Sequence, residues 1–270
     1  MASKYLARED APFGAEVWEQ LDGAMIETAK SQLTGRRLLY IEGPYGLGLK
    51  MVPMDDAVSV AGGETAPEIV ASTSIPLALI RTTFTLGARD LASYERDGVA
   101  LNLANVALAA MACARLEDDL IFNGSKKLGA DGLLSAAGNK AKLSAWAQVG
   151  NAADDIIKAL TTLDTSGFHG PFALALAPSR YNLLFRRYPN GNQTEMEHLH
   201  TMVTEGIFKA PLLKDGGVLL ASGKPFAAIV LGQDMKVGFV GPSGGELEFS
   251  VSESLALRVR QPKSICALQG

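Results

Sequence analysis

A chain of 270 residues, 47% hydrophobic and 20% charged, carries ample material for a core, in one large domain or two small ones, and excludes a disordered protein. A net charge of −4 and a pI near 5.5, with no strongly basic patch, argue against nucleic acid as a ligand. The longest apolar runs fall short of a membrane span, and Met1–Asp10 lacks the apolar centre of a signal peptide. Cys113 and Cys266 are the only cysteines and stand in no metal or redox spacing, so the expectation is a protein of the reducing cytoplasm with no membrane partner.

In chain order, Pro12 to Leu33 predicts an amphipathic helix, because Trp18, Leu21, Met25, Ala29 and Leu33 recur at helical spacing. Gly35 is expected to end it. From Gly43 to about Thr85 the prolines Pro44, Pro53, Pro67 and Pro76 forbid a long helix. Two runs of strand character, Ala57–Val60 and Ile69–Leu79, flank Gly62-Gly63, a pattern that predicts a hairpin with a flexible tip. Some forty residues without a core-facing stripe exceed an ordinary connection. Such an arm needs a surface to lie on, and a neighbouring subunit is one candidate.

Leu101 to Asn123 is the strongest helix, rich in Ala and Leu, free of Gly and Pro, and ended by Asn123-Gly124. Glu117, Asp118 and Asp119 cluster near its end. Adjacent helical positions point different ways, so a solvated or subunit-contact face is expected for them rather than shared chemistry. Further helices are expected at about Asn151–Asp164, at Ser179–Arg187 with Ser179 as cap, and at about Glu195–Thr204. Short strands are expected at Phe172–Ala177, Gly217–Ser222 and Phe226–Leu231. Tyr188-Pro189-Asn190-Gly191-Asn192 has the chemistry of a turn. Leu247, Phe249, Val251, Leu255, Leu257 and Val259 alternate with mostly polar residues, predicting a long half-buried strand with Glu253 as its one break.

No catalytic or metal-binding constellation rises above background. His198 and His200 are two apart and fall on different sides of a helix. His169 sits in a glycine-flanked loop. Gly43 to Gly48 spells GxxGxG after no βαβ unit, which is not a dinucleotide fingerprint. Ser252, Ser254 and Ser264 lie in no nucleophile elbow. No catalytic residue, metal site or cofactor is therefore assigned. Gly43, Pro44 and Gly46 read best as the hinge between the helix and the arm.

Several blocks, in order, resemble one family. They are Gln32-Leu33-x-Gly35-Arg36-Arg37 and Ile41-Glu42-Gly43-Pro44-Tyr45-Gly46, then Arg81-x-x-Phe84-Thr85-Leu86, Glu117-Asp118-x-x-Ile121-Phe122-x-Gly124 and Gly129-x-x-Gly132-Leu133-Leu134. Gly170-Pro171-Phe172 and Leu231-Gly232-Gln233-Asp234 follow. Together they resemble the encapsulins (family 1, linocin or bacteriocin-like), shell proteins built on the major-capsid fold of tailed phages. The likeness runs from Pro12 to Leu268.

The resemblance implies an α+β chain with a peripheral domain, an axial domain and an extended loop. Residues 1–42 would hold the N-terminal helix and the start of the peripheral domain, and 43–84 the loop that clasps a neighbour. Residues 85–127 would carry the spine helix, 128–222 the axial domain, and 223–270 the peripheral domain's C-terminal strands. The function implied is self-assembly into an icosahedral nanocompartment of multiples of sixty subunits in the cytoplasm, with no enzymatic activity of its own. Cargo enzymes (a peroxidase, a ferritin-like or a haemerythrin-like protein) would dock by C-terminal targeting peptides and serve iron storage or defence against oxidative stress. The resemblance carries the docking groove to Leu21, Met25, Ile229, Leu231, Met235 and Val237, residues that would equally serve a plain core. It carries a five-fold pore loop to Tyr188, Pro189, Asn190, Gly191, Asn192, Gln193 and Thr194. Some relatives bind flavin beside a tryptophan just after the Phe-Thr-Leu block; Arg89 stands there, so no flavin is expected. The run Gly46-Leu47-Gly48-Leu49 departs from the family hinge. A phage capsid protein and a protease or bacteriocin-like enzyme are the alternatives; the lack of a basic inner tail counts against the first and the lack of a triad against the second.

Overall fold

A computed structural model of the chain describes residues 4–55, 57–60, 68–189 and 191–270. Helix α1 (Ala15–Gln32) is followed by the short α2 (Gly35–Leu38) and strand β1 (Tyr40–Glu42). The arm contributes β2 (Met51–Pro53), β3 (Ala57–Val60), β4 (Glu68–Ala71) and β5 (Ser74–Pro76). Then come β6 (Ala78–Gly87), α3 (Ala88–Asp97) and α4 (Ala104–Asn123), and the small pieces β7 (Gly124–Ser125), β8 (Ala130–Asp131), α5 (Leu133–Ala136) and β9 (Asn139–Lys142). The next unit holds α6 (Asn151–Thr165), β10 (Phe172–Leu176), α7 (Pro178–Leu183), α8 (Glu195–His200), β11 (Gly206–Lys209) and β12 (Gly217–Ala221). The chain closes with β13 (Ala227–Ser243), β14 (Glu246–Val259) and β15 (Ile265–Gln269). Among the described residues no helix is long and apolar enough to cross a membrane.

Two sheets organise the molecule. The first has the order β1-β13-β14-β6. Its centre is the long hairpin β13–β14, which turns at Gly244-Gly245 with Ser243 opposite Glu246. β6 runs antiparallel to β14, from Ala78 opposite Leu255 to Gly87 opposite Glu246. On one face lie α1 and α4. Phe249 is fully buried there, stacked on Phe84 at 5.2 Å and edge-on to Trp18 at 5.9 Å. That aromatic cluster fastens the start of α1 to the sheet, each ring pair adding about 0.5–1.5 kcal/mol beyond its buried area. On the other face Val230 and Ala256 meet Val52 of the arm, flanked by Leu49, Ile75 and Leu77, so the arm's base is anchored to the sheet.

The second sheet has the order β11-β10-β12-β15-β9. Trp146, Ile156, Leu163 and Leu174 form a core on one of its faces, beneath α6 and α8. The opposite face, with Ala175, Val218 and Ile265, is continuous with the core around Phe249. The chain's last strand pairs with β12 and β9, so residues 265–269 lie in this second sheet and not beside β13 and β14.

The period-two strand is present as β14, and α1, α4 and α6 stand within three residues of their expected bounds. The arm hairpin is present as the β3–β4 ladder, Ala57 opposite Ala71; Gly62 and Gly63 lie outside the described residues. Other expectations are corrected. Gly35 does not end α1, which stops at Gln32; it opens α2, packed so closely that a Cβ would sit 2.7 Å from Ile121 Cδ1. Ser179 caps nothing: Ala177 is the N-cap and Pro178 takes the first helical position, where its missing N–H costs nothing. The strand expected at 226–231 continues to Ser243, and the helix expected to Thr204 stops at His200. Glu117 and Asp118 are buried, not solvated.

Candidate functional site: a groove beside the first helix

Val17, Trp18, Leu21, Met25 and Ala29 put the apolar face of α1 against α4 and β13. One edge of the helix is left over, with Ile26 42% exposed. The chain then turns: Leu33 is extended and α2 begins under α4. The free N–H groups of that turn are met by Asp118 from α4, at 2.8 Å to Thr34 and 2.8 Å to Gly35. A carboxylate from another helix thus does the work of an N-cap. Burial pushes the Asp118 carboxyl up to about 6, against the pull of those N–H donors.

Between α1, α2, β1 and β13 lies a groove of about 300 Å³. Met25, Ile26, Ala29, Leu33, Ile41 and Met235 supply its apolar lining; Lys30, Arg36, Arg37 and Asp234 give it a charged rim. Asp234 and Met235 reach it because β13 is irregular there. Its pairing with β14 shifts register between Leu231 and Gln233 and again before Lys236, and bulges of this kind re-aim side chains. The same bulge receives the hinge: Tyr45 N–H donates to the Leu231 carbonyl at 3.0 Å, and Gly46 N–H to that of Gly232 at 2.5 Å. Gly43 holds φ 107°, open to glycine at little cost, and a Cβ there would lie 2.5 Å from the Leu231 oxygen. Hinge and groove are built on one stretch of strand.

Arg36 closes the inner wall. Its Nε and Nη2 reach Glu117 in a bidentate pair at 2.8 Å each, Nη1 reaches Asp234 at 2.6 Å, and Nη2 also reaches Glu253 at 2.8 Å. Glu117 and Glu253 are fully buried. These carboxylates drive the Arg36 guanidinium well above its ordinary range despite burial, which acts the other way. Burial, then the Glu117 charge, raises the Glu253 carboxyl.

Of the six residues expected for docking, Met25 and Met235 line the groove. Leu21, Ile229, Leu231 and Val237 lie beneath it in the core, each 3% exposed or less. Sequence reasoning did not select Ile26, Lys30, Arg36, Arg37, Ile41 or Asp234 for this site. Ile26 and Lys30 sit on the shoulder of the α1 stripe, and Arg36, Ile41 and Asp234 lay inside quoted blocks without a role.

The second expected site is a small hairpin. Arg187 bridges Thr194, and Tyr188 N–H donates to the Gln193 carbonyl at 3.1 Å. Thr194 caps α8 in a reciprocal box with Glu197. Tyr188 hydroxyl and His198 Nδ1 stand 2.8 Å apart. The loop's root is pinned by buried Glu195, which accepts from Gly150 N–H at 2.7 Å and Arg186 at 3.2 Å. Gly191, Asn192 and Gln193 are exposed; Asn190 lies outside the described residues.

Residues 3–256 match the family model described as "Encapsulating protein for peroxidase". The chain belongs to the encapsulin family. This encapsulin is 31% identical to the type 1 encapsulin shell protein EncA of Myxococcus xanthus, over 98% of its own length and 96% of the relative's. It superposes on the virus-like particle chain of Pyrococcus furiosus with a TM-score of 0.73 at 24% identity, covering 94% of this chain and 100% of that one. The capsid chain of Myoviridae phage XM1 follows at a TM-score of 0.60 and 17% identity, covering 86% and 89%. The encapsulin fold here is thus that of the tailed-phage major capsid proteins.

Proposed function

We propose that this encapsulin assembles with copies of itself into a closed icosahedral shell, in a multiple of sixty subunits, and encloses a cargo enzyme in the cytoplasm. The shell is a container and has no catalytic role. Its family membership, under a description that names peroxidase encapsulation, supports the reading. The arm supports it as well: β3 and β4 pair with each other, and Val70 on β4 is 55% exposed, an apolar side chain that a neighbouring subunit would cover.

The groove beside α1 is the docking site for the cargo's C-terminal targeting peptide. The single observation that carries this is an apolar trough bordered by charge and left open along α1. Apolar peptide side chains would settle between Ile26, Ile41 and Met235, while Asp234 and Lys30 set direction. A peroxidase fits best; ferritin-like and haemerythrin-like cargo, and with them iron storage or defence against oxidants, belong to the same class. The 188–194 hairpin lines a five-fold pore, and small ions and substrates enter there.

A photo-crosslinking residue at position 26 tests the docking. Shells purified from the native host are irradiated and digested. The expected product joins this chain to the C-terminal segment of an enclosed enzyme. A crosslink only to this chain's own segments would overturn the assignment.

A further inference from the structure

Behind the groove wall lies a buried cluster of charged side chains. Glu117 on α4 and Glu253 on β14 are fully buried and converge on one nitrogen, Arg36 Nη2, at 2.8 Å each. Asp234 on β13 adds a third carboxylate at Nη1. Arg36 pairs with both glutamates and, among the described residues, no other cation forms an ion pair with Glu117 or Glu253. Arg37 on α2 turns away, donating to the Leu33 carbonyl and lying over Phe208. On α4, Asp118 is engaged by Thr34 and Gly35, and the Cys113 thiol is neutral and faces the Val251 carbonyl. On β6, apolar Ile80 stands opposite Glu253, and Lys30 of α1 lies on the groove's outer rim. Glu253 Oε1 is buried without a hydrogen-bond partner.

Two ionised carboxylates on one guanidinium in a dry site leave an uncompensated charge, and an orphaned carboxylate oxygen is costly as well. A proton held between the two removes both faults: the protonated carboxyl donates to its neighbour, and the one buried charge that remains matches Arg36, while Asp234, 47% exposed, keeps its charge in contact with water. We propose that Glu117 and Glu253 share one proton at neutral pH, and that this proton is a latch holding α2 and the groove wall against α4 and β14. When the latch opens, the proton passes to bulk water and the segment 15–42 loosens. The latch does not depend on what occupies the groove. Burial raises the Glu253 carboxyl, and burial together with the Glu253 and Glu117 charges pushes the Cys113 thiol up to about 12, in keeping with a site that resists further negative charge.

The sign follows from the proton count. The closed form holds a proton that the open form releases, so opening becomes easier as pH rises from the ordinary glutamate range upward, by up to about tenfold per pH unit. Amide hydrogen exchange of the purified, assembled protein between pH 6 and pH 9, corrected for intrinsic rates, reads this in residues 15–42. Wild type should lose protection in that segment with rising pH, while E253Q, whose amide donates to Glu117 without titrating, should stay flat above about pH 7.5, where Asp118 has finished titrating. Infrared spectra at about pH 8, where Asp118 is ionised, should show a carboxylic-acid C=O band in wild type that E253Q and E117Q lack. Equal pH slopes in wild type and E253Q, or no acid band in wild type, would overturn the proposal; the wild-type spectrum decides even if the variants fail to fold.

Discussion

Glu253 on β14 and Arg36 on α2 stand 217 residues apart in sequence and 2.8 Å apart in space. Through Arg36 the pair ties four elements to one guanidinium: α2 itself, α4 by Glu117, β13 by Asp234 and β14 by Glu253. Replacing Arg36 with methionine keeps the stem's packing but strands two buried carboxyls. Removing one partner of a buried pair costs about 3–5 kcal/mol. R36M is therefore expected to lower the unfolding free energy by about that amount in urea titration, or to yield no soluble shell. A loss under 1 kcal/mol would mean that the cluster does not hold the helix to the sheet.

Asp118 sets a second pH dependence. Its folded value of about 6 lies above the ordinary aspartate value, so the native chain holds a proton that the unfolded chain releases. Its contribution is fully present below pH 4 and is lost as pH rises through about 6, at a slope of up to ~1.4 kcal/mol per pH unit. The difference in unfolding free energy between wild type and D118N, followed from pH 4 to pH 7.5, should fall across that window and level off above it. A difference that does not vary with pH contradicts this.

Gly43 is the residue on which the arm turns. An alanine there must hold φ near 107° with its Cβ against the Leu231 carbonyl. Strain of this kind costs roughly 1–3 kcal/mol. G43A should retain its secondary structure by circular dichroism and yet give fewer closed particles, because the arm leaves the hinge at the wrong angle. Wild-type yields of closed particles would remove the hinge role from Gly43.

Ile26 and Ile41 line the groove and are part-exposed, so charging them does not breach the core. I26E and I41E should assemble normally and lose cargo by at least about tenfold, since a glutamate cannot settle in an apolar trough without desolvation cost. The ratio of enclosed enzyme to shell chain in particles from the native host measures this, with the exposed S31E as control. Unchanged loading in both variants would place docking elsewhere.

The legible parts of this chain are those whose pattern repeats. Alternation from Leu247 to Val259 declares β14, and the spacing of Trp18, Leu21, Met25 and Ala29 declares α1. What stayed hidden is what depends on a distant partner. Glu253 reads as a break in the strand because nothing near it announces Arg36; on the period-two rule it belongs to the buried face, and it is there. Glu117 and Asp118 read as solvated for the same reason, although Cys113, Ala114, Leu120 and Ile121, one turn to either side on α4, are buried. α3 passed unnoticed because only Leu91 of its ten residues is buried, too little for a stripe. The groove was half legible: Met25 and Met235 line it, but along β13 a core residue such as Leu231 and a lining residue such as Met235 look alike until the bulge at 232–236 decides which side chain faces out.

The shell itself is the central claim. Size-exclusion chromatography with light scattering on the purified protein, followed by negative-stain imaging, tests it directly. Chains of 28.5 kDa should elute as hollow, round particles in the megadalton range. A species that stays at one or two chain masses across a range of concentrations would contradict the account.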